Sequence, residues 1–208
     1  MPIELFAFDT PNGRKISVAL EEMALAYTVR IVDIGKDQQS APEFLKISPN
    51  GKIPAILDPD GPDGKPISVF ESGAILIYLG EKTGRFWPRS LAARVPVLEW
   101  LMFQHGGFGP IPGQVHHFLQ VGDERDRRYP LERYKKETRR LYGVMDRRLS
   151  AQEFFADEVS IADFAILGWA WRHERHQVDL HDFPHVRRWY DTMMARPGVI
   201  RGFAVALR

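Results

Sequence analysis

No cysteine occurs among the 208 residues of this chain. That absence removes structural disulfides, thiolate metal sites and any nucleophilic or redox-active thiol of the chain's own. Sulfur chemistry, where it occurs, has to use sulfur brought by another molecule. An excess of charge is missing too: 28 Lys and Arg face 27 Asp and Glu, a net charge of +1. No strong overall field therefore draws the chain to nucleic acid or to anionic lipid. Long apolar runs are also lacking. The longest, residues 74–79, falls far short of the roughly 20 residues that a membrane span needs. The first ten residues carry Glu4 and Asp9 and no basic start, unlike a secretory leader. The expectation is a cytoplasmic protein with neither nucleic-acid nor membrane partners.

What is present divides into two halves. Residues 3–8, short and aromatic-rich, run into Asp9-Thr10-Pro11-Asn12-Gly13, the pattern of a buried strand entering a turn. Ile16, Ala19, Leu20 and Met23 then recur at helical spacing, with Glu21 and Glu22 on the other face, which predicts an amphipathic helix over about 13–25. Residues 27–33 alternate again and carry β-branched Val29, Ile31 and Val32, a second strand that a right-handed crossover places parallel to the first. After a short helical signal at 43–47 and a turn at Pro49-Asn50-Gly51, segments 55–58 and 66–70 flank Asp60-Gly61 and Asp63-Gly64 and read as a hairpin. A helix over 72–82 follows, with Gly84 as its stop. The order β-α-β then β-β-α is the thioredoxin-like layout, expected over residues 1–86.

From residue 90 onward helical periods take over. Tyr134, Thr138, Leu141, Met145 and Leu149 form one apolar stripe. Ser160 and Asp163 stand at capping-box spacing ahead of the apolar run 164–170, with Asp where Glu or Gln is usual. The second domain, 90–208, is expected to be an all-helical bundle, so the fold class is α/β followed by all-α. The first 88 residues carry a net charge of −3 and the rest +4. Residues 125–148 hold ten Lys or Arg and four Asp or Glu, read as a solvated helix face with Glu132 and Lys136 paired.

Three patches in the first half suit chemistry. Thr10 and Asn12 stand where a strand end meets a helix start, a place whose amides and dipole favour an anion such as a thiolate. Hydrogen bonds to the charged form would lower a thiol from its usual value near ~8.5. The same residues are also ordinary helix caps. Glu71-Ser72 opens another helix: the serine and nearby amides suit a carboxylate, and the glutamate suits an ammonium beside it. That pairing fits an amino-acid head group, although a first-turn acid also simply complements a helix dipole. Gly51-Lys52-Ile53-Pro54 is the third. A cis Pro54 would turn the backbone of Ile53 outward to pair with an extended peptide, with Lys52 near a terminal carboxylate.

Taken together with TPNG at 10–13, ISPNGKIPAI at 47–56, FESGAILIYL at 70–79, QHGGFGP at 104–110, ERYKKETRRLYGVMDRRL at 132–149 and SIADF at 160–164, these patches resemble the glutathione transferases. The resemblance runs over nearly the whole chain and is nearest to the nu class, with its bacterial disulfide-bond reductases and related fungal nitrogen regulators. It implies that Glu71 and Ser72 hold the γ-glutamyl end of glutathione and that the backbone of Ile53, beside cis Pro54, pairs with the cysteinyl part. Lys52 and Gln39 would lie near the glycyl carboxylate, Thr10 and Asn12 would face the sulfur, and Arg133 would approach the disulfide form. It implies glutathione as co-substrate in a cleft between the domains, no metal, a homodimer, and a small disulfide or electrophile as the other reactant.

The strand that carries a tyrosine or serine in many transferases has Phe6 and Phe8 here, followed by Thr10. A phenolate mechanism is therefore absent from that strand, and disulfide exchange suits the inventory better than fast aromatic conjugation. The alternatives are a glutathione-binding regulator or scaffold with little turnover, and a glutathione-dependent peroxidase or conjugating enzyme. Other motifs read as structural. His173 and His176, in H-E-R-H on an expected helix, lack metalloprotease spacing and a third ligand. Adjacent His116 and His117 cannot face one site from a helix. Residues 106–110 read as a helix break, and Trp100, Phe103 and Phe108 as core.

Overall fold

The computed structural model describes residues 1–208. Contacts divide it into two compact units, residues 1–87 with 194–208, and residues 88–193. The sequence-based limits, 1–86 and 90–208, differ from this grouping in the last fifteen residues, which pack with the first unit.

In the first unit, β1 (Ile3–Ala7), α1 (Pro11–Glu22), β2 (Tyr27–Ile31), the short α2 (Pro42–Leu45), β3 (Ala55–Asp58), β4 (Ile67–Phe70) and α3 (Ser72–Thr83) follow one another. The sheet has the order β2-β1-β3-β4. β1 runs parallel to β2, while β1–β3 and β3–β4 are antiparallel. β1 is covered on both faces. Ile3, Leu5 and Ala7 are buried on one face, and Phe6, on the other, packs together with Ile47 and Ile53 against the cluster of Val32, Phe44 and Ala55. Helix α1 starts at Pro11, two residues earlier than its apolar period suggests, because Thr10 caps it: the Thr10 hydroxyl accepts from the Gly13 amide at 3.1 Å. It stops at Glu22, before Ala24 takes a left-handed φ of 56°. Gly84, with φ of 65°, ends α3 as expected.

One face of α1 departs from the sequence reading. Glu21 and Glu22 do not face water but meet α9 (Pro197–Ala204). Arg196, the N-cap of α9, and Arg201, inside it, each pair with one of them at 2.7 Å. The backbone of α9 comes so close that a Cβ on Gly202 would lie 2.6 Å from the Val18 Cα. Ser17 donates to the Gly202 carbonyl at 2.8 Å. A helix that looks amphipathic in isolation is thus buried almost all round.

The second unit comprises α4 (Leu91–Phe103), α5 (Pro110–Phe118), α6 (Glu124–Ala151), α7 (Ile161–Ala170) and α8 (Pro184–Met194). Residues 106–110 do not break the helical path. Gln104–Phe108 form a π-helical turn that links α4 to α5, and the missing side chain of Gly109 admits Gln104, whose Nε2 would lie 2.7 Å from a Cβ there. Thr138, Leu141, Met145 and Leu149 are buried along α6 as the stripe predicts. Glu132 approaches Lys135, at 3.8 Å, and not Lys136. Arg140 pairs with Glu137 and Arg139 with Asp182 at 2.7 and 2.9 Å, which fits a solvated face. Trp100, Phe103 and Phe108 join one aromatic cluster with Phe155. Residues 171–177 are turns and not the expected helix. His176 there is buried with its Nδ1 2.9 Å from the Tyr142 hydroxyl, while His173 contacts the Val178 carbonyl. No helix is long and apolar enough to cross a membrane.

The capping box forms with Asp. Asp163 Oδ2 accepts from the amide and hydroxyl of Ser160, and Oδ1 from the Phe155 amide and the Trp189 indole, at 2.9–3.3 Å. The carboxylate is fully buried; burial pushes it above the usual carboxylate value despite these donors. Asp163→Ala would strand three buried N–H groups, so it should lower unfolding free energy by about 2–4 kcal/mol in guanidinium titrations. Asp163→Asn should recover little of this, because its NH2 faces donors.

Candidate functional site

A cavity of about 150 Å³ in the first unit is lined by Asn12, Ser48, Lys52, Ile53, Pro54, Glu71 and Ser72. Three separate chain segments meet there, and each has a local reason for its place. The first turn of α1 brings Asn12. The loop before β3 brings Lys52, Ile53 and Pro54, with Ile53–Pro54 cis. It is held by the Gly51 amide on the Ser48 carbonyl and by the Ser48 hydroxyl on the Lys52 carbonyl, both at 2.8 Å. Gly51 has φ of 60°, a conformation open to glycine. Ladder pairing of β3 begins only at Ala55, so Ile53 precedes the sheet. The third segment is the start of α3, where Glu71 is the N-cap and Ser72 the first helical residue.

Glu71 has φ of 69° and ψ of 117°, unusual for a residue with a side chain. Such backbone costs of order 1–3 kcal/mol and persists where the surroundings enforce it. Asn50 donates to its carboxylate at 3.4 Å, and the side chain stays exposed while Ser72 beside it is buried.

Below this corner lies a group that the sequence reading missed. Lys15, on the second turn of α1, is 1% exposed, and its Nζ donates to the Ser72 hydroxyl oxygen at 3.1 Å. Burial pushes the Lys15 ammonium down to about 7, although the Glu71 carboxylate pulls it the other way. Its signal in the sequence is its place: four residues before Ala19, it falls on the face that the apolar period of the helix marks as inward.

The other expected residues fall out as follows. Thr10 sits at the head of α1 but does not line the cavity; its hydroxyl oxygen caps the helix. Gln39 neighbours the same loop, its carbonyl 3.4 Å from where a Gly51 Cβ would stand, and its Nε2 donates to Asp37. Arg133 is exposed on α6, in the other compact unit. No group of three or more His, Cys, Asp and Glu side chains is placed to hold a metal ion. Chemically, the corner offers an ammonium and a hydroxyl for a carboxylate, a carboxylate for an ammonium, and the unladdered backbone of Ile53 between them.

Comparison with known proteins bears on the same residues. Residues 10–82 match the family model for the glutathione S-transferase N-terminal domain, and 95–197 that for the C-terminal domain. The chain is 46% identical over 197 residues to the disulfide-bond oxidoreductase YfcG of Escherichia coli K12, covering 94% of this chain and 91% of that protein. A crystal structure of a glutathione transferase from Pseudomonas putida, with one glutathione disulfide bound per subunit, superposes with a TM-score of 0.92 at 43% identity, over 99% of this chain and 92% of the other. One from Burkholderia graminis, with two glutathione molecules per subunit, gives 0.92 at 42% identity, over 100% and 89%.

The depressed Lys15 ammonium has a consequence for stability. Between its folded value of about 7 and the unfolded lysine value of 10.5, the unfolded chain binds the extra proton. The contribution of Lys15 to stability therefore rises with pH across that window. Lys15→Met lacks this slope. Its unfolding free energy should exceed that of the unmodified protein by more at pH 7 than at pH 9, read from denaturant titrations at both values.

Proposed function

The chain belongs to the glutathione S-transferase family, and on that premise we propose that it is a glutathione-dependent disulfide-bond reductase that works without any sulfur of its own. The observation that carries this reading is the single cavity shared by Asn12, Lys52, Ile53, Pro54, Glu71 and Ser72 in a chain with no cysteine. The relatives named disulfide-bond oxidoreductase, and those whose structures hold glutathione or its disulfide, support it.

In this reading Glu71 takes the γ-glutamyl ammonium, and Ser72 with the start of α3 takes its α-carboxylate. The backbone of Ile53 pairs with the cysteinyl residue, and Lys52 and Gln39 serve the glycyl end. Asn12 and Thr10 sit at the positive end of α1, where the sulfur ends up. The thiol gives its proton to solvent, and the thiolate attacks one sulfur of the substrate disulfide, forming a mixed disulfide and expelling a thiolate that picks up a proton. A second glutathione thiolate then attacks the glutathione sulfur of that mixed disulfide. It releases the second substrate thiol and leaves glutathione disulfide. Two glutathiones are oxidised and one substrate disulfide is reduced, and we assign no metal to the exchange. Arg133 keeps the role that the resemblance gives it, a guanidinium for the disulfide form.

Because the Thr10 hydroxyl caps α1 and donates to the Phe8 carbonyl at 3.4 Å, while Asn12 lines the cavity, Asn12 is the better placed of the two to donate toward sulfur. Lowering a thiol by one pKa unit is worth about 1.4 kcal/mol, so donors here help the thiolate without acting as a strong base. A cytoplasmic setting, whose glutathione pool is reducing, follows from this role. A homodimer follows as well: Leu91, Val95 and Met102 form an exposed apolar stripe on α4, a surface that a second copy would cover.

Two measurements test this. With glutathione and hydroxyethyl disulfide, Thr10→Ala combined with Asn12→Ala should slow exchange by about tenfold or more; an unchanged rate refutes their role. Ser72→Ala should weaken binding of S-methylglutathione by about tenfold to a hundredfold, as expected for losing a charge-assisted hydrogen bond, in isothermal calorimetry.

A further inference from the structure

We propose that Arg208 is a positioning residue for the sulfur end of the site: paired with the Asp9 carboxylate beside the head of α1, its guanidinium keeps that carboxylate from opposing the anionic sulfur of glutathione. The inference rests on the reading that glutathione binds in the cavity with its thiolate at the start of α1. To that reading it adds two charged residues that do not line the cavity.

Asp9 stands between the end of β1 at Ala7 and Thr10, the N-cap of α1. Consecutive Cα atoms are about 3.8 Å apart, so its charge acts on whatever the helix start holds. A bare carboxylate there would complement the helix dipole but repel an anion drawn to the same dipole. The structure does not leave it bare. Asp9 Oδ1 accepts from Arg14 Nε at 2.9 Å and lies 2.7 Å from Arg14 Nη2, while Oδ2 lies 2.7 Å from Arg208 Nη2. The Asp9 side chain is only 8% exposed, whereas that of Arg208 reaches it from the surface at 76%. Burial alone would raise the Asp9 carboxyl, and the two guanidiniums hold it below the usual carboxylate value. Two guanidiniums and one carboxylate leave a single positive charge beside the helix start. Without Arg208 that charge is gone.

The two arginines differ in what else they hold. Arg14 Nη1 donates to the Val205 carbonyl at 2.8 Å and to the Gly202 carbonyl at 3.3 Å, tying α1 to the end of α9. Arg208 pairs with Asp9 and adds no tie of this kind, so replacing it changes the charge at Asp9 and leaves the bond between the helices in place. The other charged groups around the start of α1 have partners elsewhere or come from other segments. Lys15, on α1, donates to Ser72 and feels the Glu71 carboxylate from the start of α3. Lys52 comes from the loop before β3. Glu4 of β1 pairs with Arg30, and Glu21 and Glu22, at the far end of α1, pair with Arg201 and Arg196.

The test follows kcat against pH for exchange between glutathione and hydroxyethyl disulfide, whose acid limb reports the thiol in the bound complex. It compares the unmodified protein with Arg208→Lys, Arg208→Gln, Arg208→Glu and Asp9→Asn. Charge should order the limb. Arg208→Lys should stay close to the unmodified protein, Arg208→Gln should move the limb to higher pH by about 0.3–1 unit, and Arg208→Glu should move it further. Asp9→Asn, which removes the negative charge, should move it to lower pH. The opposite sign separates charge from scaffolding, because a clasp that only held the turn in place would be impaired alike from either partner. If the unmodified protein fails to bind S-methylglutathione in calorimetry or to catalyse exchange, the glutathione reading falls and this inference with it. If it does both, a limb that stands still in Arg208→Gln and Arg208→Glu, or one that Asp9→Asn moves the same way as Arg208→Gln, overturns the role of Arg208 alone. Circular dichroism establishes that each variant is folded, and the three substitutions at the exposed Arg208 carry the test should Asp9→Asn not fold.

Discussion

The hydrogen bond from Lys15 to Ser72 joins the second turn of α1 to the first turn of α3 in a part of the molecule that water scarcely reaches. Both helices start at the same cavity, so this bond fixes two helix N-termini relative to one another at the place where the proposed reading puts anionic groups. It can do so because α1 itself cannot shift. The sheet and α3 pack on it, and α9 closes the remaining face at glycine-to-backbone distance. Gly13 shows how tight the start is: a Cβ there would lie 2.4 Å from the Phe8 carbonyl. A site whose geometry must be accurate to a fraction of an ångström is thus built on elements that are clamped on every side, and not on a mobile loop.

A chain without cysteine cannot own the reactive atom, so its contribution to disulfide chemistry is confined to holding a guest thiol and shifting its proton equilibrium. That explains the arrangement of charge in the first unit. In the proposed reading most of the machinery addresses the two ends of the tripeptide, far in covalent terms from the sulfur, and only a helix start and short polar side chains face the reacting region. On that reading, binding energy from the remote ends keeps the sulfur at the helix tip. The strained backbone of Glu71 belongs to the same logic, since the residue must turn its carboxylate toward the cavity while its carbonyl opens α3.

Much of this was legible in the sequence, and the parts that were not share a cause. Strand and helix existence followed from local period: β1, the β3–β4 hairpin, α3 with its Gly84 stop, and the α6 stripe all depend on neighbours a few residues apart. The capping box at Ser160 was equally local, even with Asp163 in place of Glu. What sequence spacing could not show depended on distant partners. Glu21 and Glu22 looked like a wet face because the helix that covers them lies some 175 residues later in the chain. The glycines at 106–109 looked like a break because a π-turn needs tertiary neighbours, here Leu141 and Trp169, to define it. The H-E-R-H segment lost its helix where α7 ends at Ala170 and His176 was drawn in toward Tyr142. Lys15 escaped notice for the same reason. Its charge makes sense only beside Ser72, 57 residues away.

A buried lysine at this spot also fits the demands of the site better than the alternatives. A neutral side chain would pack more stably but offer a carboxylate nothing beyond the serine hydroxyl and the helix start. An arginine would keep its charge throughout, and with it the full desolvation penalty in the unliganded protein. Lysine lies between these two: burial lowers its hold on the proton to a value of about 7, and the Glu71 carboxylate opposes that shift.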